Sequence, residues 1–441
     1  MKKVITYGTF DLLHHGHIRL LERAKALGDY LIVGITSDDF DKQRGKINVA
    51  QPLMERLEAV RATHLADEII VEEYEGQKID DIKKYGVDIF TVGSDWEGHF
   101  DYLNEYCQVV YLPRTEGVSS TQIREKRAAI RLGLVGNASF LNKVITETGF
   151  VNGLDIAAVC TSAPSVITSP LRDDVIVTDS FEELLEKVDA VYIRSLPADH
   201  AAQIRQALEA GRHVLCESPL TLDPAQADEL FALAADKGLT LMEAIKTAYS
   251  TAFMRLLLLV KGGAIGDVVS IDSTCTSLRS DSSLITDWNG IYEWGPTALL
   301  PVLSLLGSGW RDLRMYVRYS NEQPCTDSFT KMDFLYDKAV ASIKVGDGVK
   351  SEGDLVISGT SGYIYVPAPW WKTDYFELRY EDVSRNKRHF YQLDGEGIRY
   401  ELVAFVRSIE GNGHGAIDEN VTGGIAQIMK RFVSGDGVER I

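Results

Sequence analysis

The stretch VITYGTFDLLHHGH, residues 4–17, decides the fold of the first part of this chain. Its apolar and β-branched residues as far as Phe10 predict a short buried strand, and residues 18–24 predict an amphipathic helix directly after it. His14 and His17 then lie three positions apart on one face of the first helical turn. A helix N-terminus attracts phosphate, and imidazoles placed there can donate to phosphoryl oxygens. The stretch therefore indicates a site for nucleotidyl transfer.

A surface helix that happens to carry three histidines is the alternative interpretation. The chain has nine histidines in all, and three of them fall within residues 14–17, beside a strand and a Gly-containing turn. A motif of this kind gains meaning from its strand–turn–helix context, which favours the functional interpretation.

Residues 7–17 (YGTFDLLHHGH) closely resemble the HxGH signature of the cytidylyltransferase family, and most closely its glycerol-3-phosphate branch. Residues 114–121 (RTEGVSST) are similar to the RTEGIS(T/S)T block of that family, and residues 92–98 (VGSDWEG) resemble its G-D-D-W-E-G segment. The resemblance covers about residues 1–127. It implies an N-terminal Rossmann-like nucleotidyltransferase domain that uses CTP together with Mg²⁺.

The resemblance also implies roles for individual residues. Arg44 and Lys78 match positions that contact the acceptor phosphate, although relatives usually carry Lys where Arg44 stands, which changes its hydrogen-bond geometry. The predicted catalytic residues are His14, His17, Lys46 and Arg114, because phosphoryl transfer needs positive charge and donors around the phosphates more than a protein nucleophile. No metal-binding residue is predicted. The positions implied to contact CTP are Thr9, Phe10, His14, His15, Gly16, His17, Lys46, Arg114, Thr115, Glu116, Gly117, Val118, Ser119, Ser120 and Thr121.

Composition sets bounds on the class of protein. A chain of 441 residues with 45% hydrophobic residues is expected to form two or three domains with substantial cores. The net charge of −18 argues against nucleic acid and anionic membrane as partners. Since no apolar run has membrane-spanning length and residues 1–3 lead directly into a strand, we expect a cytoplasmic protein without membrane insertion. Five scattered cysteines, without a C-x-x-C pair, are expected to be reduced thiols.

The pattern restarts at about residue 128. Predicted strands at 130–136, 155–160, 189–193, 213–216 and 239–242 alternate with helices that include 200–210 and 224–237. This alternation is typical of a doubly wound parallel sheet, so the whole chain is predicted to be α/β. The predicted domains are 1–127, a Rossmann-type domain at 128–245 and a C-terminal α+β open-sheet domain at 246–441. An open sheet with apolar residues tends to pair with a partner, which predicts a homodimer.

Three segments, VDAVYI (188–193), ALEAGRHVLCE (207–217) and GGAIGDV (262–268), resemble the Gfo/Idh/MocA oxidoreductase family. The cofactor-binding and catalytic positions of that family carry different residues in this chain. Residues 136–141 (GNASFL) keep the first of three glycines, and Thr161 and Ser162 replace the acidic residue that binds ribose hydroxyls. Ser218 replaces the lysine of E-K-P, and Thr297 replaces the final residue of D-x-G-x-H. These changes predict a non-redox half in which NAD(P) binding is doubtful.

The sequence as a whole predicts a cytidylyltransferase that joins CMP from CTP to a small polyol phosphate, best sn-glycerol 3-phosphate. The resemblance implies that its CDP-polyol product feeds teichoic-acid-like or capsular polymers. In one alternative the second half is an active NAD(P)-dependent oxidoreductase, with Lys246 in place of the missing lysine. In others it is a ligand-sensing or assembly module, or its cleft binds a sugar or polyol phosphate without transforming it. For Trp370 and Trp371, the sequence allows two interpretations: they line a ligand cleft, or they are buried in the core of the sheet.

Overall fold

The computed structural model describes residues 1–38, 40, 49, 51, 53–74, 76–113, 129–278, 290–319, 326–391, 393–411 and 415–441. The chain divides into two compact units, Met1–Ala129 (unit 1) and Ile130–Ile441 (unit 2). Among the predicted site residues, Arg44, Lys46 and residues 114–121 lie outside the described part.

Unit 1 is a five-stranded parallel sheet with helices on both faces. The strands run in the order β3-β2-β1-β4-β5, so the chain changes direction across the sheet between β1 and β4. In open parallel sheets, ligands bind at the carboxyl ends of the strands beside such a switch point. The elements are β1 (Lys3–Gly8), α1 (His15–Lys25), β2 (Tyr30–Thr36), α2 (Leu53–Ala62), β3 (Glu68–Glu72), α3 (Gln77–Tyr85), β4 (Ile89–Gly93) and β5 (Gln108–Leu112), with short 3-10 turns at Ser94–Trp96 and Asp101–Glu105.

Alternation along β1 explains why both faces of this sheet are covered. Val4 packs with Leu21 of α1 and Val60 of α2, whereas Ile5 packs on the other face with Ile82 of α3. Successive strand residues point to opposite faces, so an almost continuous apolar run forms two cores. The sheet is thereby fixed, and the loop after β1 begins from a rigid strand.

Unit 2 begins with a six-stranded parallel sheet in the order β11-β10-β9-β6-β7-β8. This arrangement confirms the predicted doubly wound Rossmann fold. Its elements are β6 (Ile130–Gly136), α4 (Leu141–Thr148), β7 (Leu154–Cys160), β8 (Ile176–Thr178), α5 (Phe181–Lys187), β9 (Ala190–Arg194), α6 (Pro197–Glu209), β10 (His213–Glu217), α7 (Pro224–Asp236) and β11 (Leu241–Ala244), with a 3-10 turn at Pro164–Val166.

The rest of unit 2 is a nine-stranded mixed sheet in the order β19-β18-β17-β16-β12-β15-β14-β13-β20. The pairs β12–β15 and β13–β20 are parallel, and the remaining pairs are antiparallel. Helix α9 packs on β12 and β15, and α11 packs on α7 and α9. The helices are α8 (Thr251–Lys261), α9 (Ile291–Leu306), α10 (Ile398–Ile409) and α11 (Glu419–Ser434), and 3-10 turns cover Lys246–Tyr249, Val383–Arg385 and Asp394–Gly397. The strands are β12 (Val268–Thr276), β13 (Asp312–Tyr319), β14 (Asp327–Leu335), β15 (Val340–Gly346), β16 (Leu355–Gly359), β17 (Tyr363–Val366), β18 (Tyr375–Arg379), β19 (Lys387–Phe390) and β20 (Val438–Arg440).

These sheets confirm the predicted fold class: α/β, with parallel Rossmann-like sheets and a mixed-sheet C-terminal region. Over the residues that the structure covers, every helix is too short or too polar to cross a lipid bilayer.

Candidate functional site

Two histidines, His14 and His17, contact each other at the N-terminus of α1. His14 is the N-cap of α1, and its Nδ1 accepts a hydrogen bond from the backbone N–H of Gly16 at 3.1 Å. Because Nδ1 is the acceptor, the proton of the neutral His14 ring is on Nε2. The ring of His17 stacks on that of His14, with centroids 3.8 Å apart and planes 17° from parallel. The two imidazoles therefore form a single surface at the N-terminus of α1.

The backbone of the preceding loop is strained where it approaches these rings. Phe10 and Leu12 have positive φ values of 52° and 46°, which side-chain-bearing residues rarely adopt. The buried Phe10 ring meets the His17 ring edge-on at 5.5 Å. A Cβ atom on Gly8 would lie 3.0 Å from the Phe10 ring, so the glycine leaves room for it. Strain of this kind is characteristic of functional loops.

A fully buried guanidinium ties this loop to the rest of the sheet. Arg56 of α2 donates to the carbonyl oxygens of Thr9 (2.7 Å), Thr36 (2.9 Å) and Gln51 (3.0 Å). It also forms an ion pair with Asp38. One side chain therefore fixes the end of β1, the end of β2 and the segment before α2. The sequence gives no motif for this role, because the partners are brought together only by the fold.

Asp11 takes part in a second tie across the same loop. Its buried carboxylate accepts a hydrogen bond from the backbone N–H of Gln51 at 3.0 Å. The side-chain oxygen of Gln51 accepts in turn from the backbone N–H of Leu12 at 2.9 Å. The two contacts hold the strained loop against the segment that precedes α2.

Lys78, predicted to contact the acceptor phosphate, lies in a buried polar cluster at the carboxyl edge of the sheet. Its ammonium forms an ion pair with Glu72, the last residue of β3, and lies 4.8 Å from the centre of the Tyr7 ring. Tyr7 donates to the carboxylate of Asp81 at 2.9 Å. Burial and the neighbouring carboxylate of Asp81 raise the pKa of Tyr7 far above its usual value, so the phenol remains a donor. The charge of Lys78 is thus balanced by Glu72 in this structure.

The structure therefore brings Phe10, His14, Gly16 and His17 together around the start of α1. His15 lies on the exposed side of the helix, where its Nε2 accepts from Arg19 at 3.2 Å. Thr9 contributes its carbonyl oxygen to the contact with Arg56. Since Lys46 and Arg114 are outside the described residues, their assigned roles stay predictions.

In unit 2, the loop after β6 is the place where a dinucleotide fold holds its phosphates. Gly136 has φ +142°, and a Cβ there would lie 2.1 Å from the carbonyl oxygen of Arg194, so the glycine permits close packing of β6 and β9. The Asn137 side-chain oxygen accepts hydrogen bonds from the Thr161 hydroxyl and the Ser162 backbone N–H, both at 2.9 Å. The loops after β6 and β7 are thereby joined by a side-chain contact.

Two positions where the oxidoreductase family has titratable side chains carry hydroxyl side chains in this chain. The Ser218 hydroxyl donates to the buried carboxylate of Glu243, which also accepts from Thr422 at 2.6 Å. Burial raises the pKa of Glu243. Thr297 offers only a hydroxyl, and Glu293 forms an ion pair with Arg194 at 2.8 Å. An aliphatic hydroxyl is a weaker general acid than the lysine, histidine or tyrosine side chains that the family has at these positions.

A cavity of about 410 Å³ lies beside these residues. Three lysines in it converge on the single carboxylate of Glu396, a cluster that no sequence motif revealed. The Gly-Glu-Gly sequence at 395–397 could have indicated this site, because glycines on both sides of Glu396 permit positive φ values. The described lining includes Phe140, Lys143, Arg194, Glu217, Ser218, Lys246, Thr247, Glu293, Trp294, Thr297, Trp371, Lys372 and Glu396.

Comparison with known proteins agrees with the geometry of unit 1. The cytidylyltransferase-like family matches residues 5–126. Glycerol-3-phosphate cytidylyltransferase from Bacillus subtilis is 52% identical over 130 residues, which cover 30% of this chain and 100% of that enzyme. The predicted resemblance of the N-terminal part is confirmed.

Unit 2 has relatives of a different kind. The oxidoreductase family with an NAD-binding Rossmann fold (Gfo/Idh/MocA) matches residues 130–245. A dTDP-3,4-didehydro-2,6-dideoxy-α-D-glucose 3-reductase from Actinomadura kijaniata is 39% identical over 100 residues, covering 22% of this chain and 30% of that enzyme. The second predicted resemblance is confirmed as well.

Among solved structures, the 3-ketoreductase KijD10 from Actinomadura kijaniata, in complex with NADP and TDP-benzene, is similar with a TM-score of 0.59. The similarity covers 71% of this chain and 99% of that one at 19% identity. At this identity the similarity establishes the fold. Because that neighbour holds NADP, the comparison does not support the prediction that NAD(P) binding is doubtful.

Proposed function

This chain belongs to the cytidylyltransferase-like family through its N-terminal unit and is a nucleotidyltransferase, and we propose on that premise that it joins CMP to a small polyol phosphate. The proposed donor is CTP, which enters with Mg²⁺ on its phosphates. The proposed acceptor is sn-glycerol 3-phosphate, because that substrate is named in the relative whose entire length matches unit 1. The products are a CDP-polyol and pyrophosphate.

In the proposed reaction, a phosphate oxygen of the acceptor attacks the α-phosphorus of CTP in line. The bond between that phosphorus and the bridging oxygen of pyrophosphate breaks, and pyrophosphate leaves with the electron pair. Charge builds on the phosphoryl oxygens during this exchange, so fixed donors that face them lower the barrier. His14 and His17 are the donors that the described residues offer at the N-terminus of α1.

The stacked pair of imidazoles is the observation that supports this proposal. The hydrogen bond from Gly16 to Nδ1 fixes the His14 ring, and stacking aligns His17 beside it. A ring held in this way needs little reorganisation when charge develops, which is the main advantage of a preorganised site. The backbone N–H groups of the helix start add to the attraction for phosphate.

Replacement of His17 tests the proposal directly. His17→Asn removes the imidazole and is expected to lower kcat for pyrophosphate release by roughly 100-fold, as loss of one transition-state donor does. His99→Asn is the matched control, since His99 is an exposed histidine of the same unit. Activity of His17→Asn equal to the wild type would contradict the assigned role.

The identity of the acceptor is tested in the same assay. A panel of phosphorylated polyols, supplied with CTP, is expected to give the highest kcat/KM with sn-glycerol 3-phosphate. We propose that the acceptor phosphate is held by Arg44 and by Lys78, whose pairing with Glu72 it would replace. A panel in which no polyol phosphate releases pyrophosphate would remove this acceptor class.

For unit 2 we propose a role other than hydride transfer. The proposal rests on the pairing of Ser218 with Glu243 and on the absence of a titratable group in the side chain of Thr297. Lys246, considered above as a substitute for the missing lysine, forms an ion pair with Glu396 at 2.9 Å. A lysine in such an ion pair is a poor proton donor, because the carboxylate stabilises its protonated form.

A second candidate function is an oxidoreductase that acts on the polyol or a sugar phosphate. The match of residues 130–245 to an NAD-binding family and the NADP held by KijD10 favour it. Titration of the full chain with NADPH and NADH, followed by nicotinamide fluorescence, separates the two candidates. Micromolar binding together with substrate-dependent oxidation would establish the oxidoreductase, whereas absence of binding would support the non-redox proposal.

A further inference from the structure

Three ammonium groups in the cavity of unit 2 contact one carboxylate. Lys246 and Lys143 lie 2.9 Å and 3.0 Å from Oε2 of Glu396, and Lys372 lies 2.8 Å from its Oε1. We call these four residues the lysine cluster. Its lysines come from the start of α4, the turn after β11 and the segment before β18, so the fold brings together cations that are distant in sequence.

The backbone holds Glu396 in an unfavourable conformation to make these contacts. Glu396 has φ +55°, and its neighbours Gly395 and Gly397 have φ values of 56° and 95°. A Cβ on Gly395 would lie 2.0 Å from the Glu147 carboxylate, and its φ of 56° favours glycine at this position. A non-glycine residue in the left-handed region costs on the order of 1 kcal/mol and persists where its surroundings demand it.

The other charged residues that line the cavity are Arg194, Glu293 and Glu217. Arg194 and Glu293 form an ion pair at 2.8 Å. Burial raises the pKa of Glu217, which accepts a hydrogen bond from the Tyr192 hydroxyl at 2.5 Å. The lysine cluster is left with three cations and one anion, within a chain whose formal net charge is −18. Like charges this close repel each other, so an additional anion beside the three lysines would be stabilised.

The wall beside the cluster suits a hydroxylated carbon skeleton. Trp294 and Trp371 meet edge-on at 5.2 Å, and the Thr247 and Thr297 side chains line the same cavity. Aromatic faces pack against C–H groups, while hydroxyls exchange hydrogen bonds with a polyol. A cavity of about 410 Å³ has room for a small ligand of this type.

We propose that the lysine cluster binds the phosphate of a small phosphorylated polyol or sugar, with Glu396 occupying the phosphate position until the ligand arrives. The dianionic phosphate displaces the Glu396 carboxylate and contacts Lys143, Lys246 and Lys372. No bond is formed or broken. The proposal does not rest on the reaction assigned to unit 1, because all of its residues belong to unit 2.

Site-resolved lysine labelling of the full chain tests this proposal. Lys143 and Lys372 are 53% and 42% exposed and should react with an amine-acylating reagent detected by mass spectrometry. Glycerol 3-phosphate is expected to reduce their labelling about fivefold or more at saturation, and glycerol to leave it unchanged. Lys430, which is 55% exposed and paired with Asp223, serves as the internal control. The readout reports on lysines of unit 2 and is separate from pyrophosphate release, which reports on unit 1.

Glu396→Gln gives the sharper test, since a purely structural cluster and a phosphate site predict opposite results. Removal of the competing carboxylate is expected to lower the concentration of glycerol 3-phosphate needed for half-protection by about tenfold. Asp223→Asn is the matched control, because it frees Lys430 without creating a phosphate site. The proposal is overturned if up to about 10 mM glycerol 3-phosphate gives no protection, or if Glu396→Gln leaves protection unchanged or weaker. Protection by NADP but not by glycerol 3-phosphate would also overturn it.

Discussion

Arg56 acts at the scale of a single residue but connects three segments of unit 1. Arg56→Lys keeps the charge, yet one ammonium cannot reproduce the planar set of donors that reaches Thr9, Thr36 and Gln51. Buried carbonyl oxygens would then lose their partners. We expect the free energy of unfolding of unit 1 to fall by about 2–3 kcal/mol, measured by denaturant titration.

The same variant should also be a poor catalyst, because the loop that carries Phe10 is no longer fixed. Arg61→Lys is the matched control on the same helix, since Arg61 is 59% exposed and pairs only with Glu58 among its described contacts. A fall in kcat at unchanged KM for CTP would identify Arg56 as a positioning residue. Wild-type stability and kcat in Arg56→Lys would show that the carbonyl contacts are dispensable.

At this scale, contacts between residues close in sequence could be predicted, whereas contacts between residues distant in sequence could not. The pairing of His14 with His17 follows from a three-residue spacing. Trp370 and Trp371 had two interpretations, and the structure assigns one to each: Trp370 is fully buried, whereas Trp371 lines the cavity. Lys143 and Glu396 are 253 positions apart, so their contact depends on the assembled sheets and leaves no trace in any motif.

Among the elements of unit 2, helix α9 begins beside the buried carboxylate of Asp327, whose contribution to stability depends on pH. The backbone N–H of Ile291 donates to both carboxylate oxygens of Asp327, at 3.1 and 2.9 Å, and the Thr330 hydroxyl donates at 2.7 Å. Burial nevertheless raises the pKa of Asp327 to about 6. Since the pKa in the folded state lies above the unfolded value of about 3.9, folding favours the protonated form. The contribution of Asp327 to stability is therefore greatest below about pH 4 and is lost as the pH rises through about 6.

Asp327→Asn tests this sign. The variant cannot titrate, so its free energy of unfolding relative to the wild type should increase by about 2–3 kcal/mol between pH 4 and pH 6.5, whatever the constant difference between them. Asp337→Asn is the control, since Asp337 is 83% exposed. Urea unfolding at matched pH values measures the difference. A difference that is independent of pH would show that Asp327 has an ordinary pKa.

Element boundaries show which sequence signals are strong. The predicted strand 130–136 coincides with β6, because its apolar run ends at Gly136. The helix predicted over 200–210 begins earlier, at Pro197, since proline fits the first turn of a helix where no N–H partner is needed. His200 is buried inside that helix, between the carbonyl oxygens of Ser195 and Pro219 at 2.9 and 2.8 Å. Burial lowers the pKa of His200 to about 4, so its ring is neutral near pH 7 and its contacts are those of a buried structural residue.

For the whole molecule, the first question is whether unit 1 works alone. Among the described residues, all five strands of its sheet come from Met1–Ala129, and its two cores contain residues of that unit only. The entire length of a known enzyme aligns with 130 residues of this chain. The division of unit 2 at residue 245 stays a prediction, whereas a fragment that ends at residue 129 follows the division of the chain into two units.

A fragment of residues 1–129 is therefore expected to unfold in one cooperative transition and to keep kcat for pyrophosphate release within about twofold of the full chain. The reason is physical: the strained loop, the Arg56 contacts and the histidine pair all receive their support from within unit 1. Circular dichroism during urea unfolding measures the first property, and the coupled pyrophosphate assay the second. The full chain carrying Lys372→Gln provides the control, since it changes unit 2 without removing it. A folded but inactive fragment, beside an active full chain, would mean that unit 2 supplies part of the transferase site.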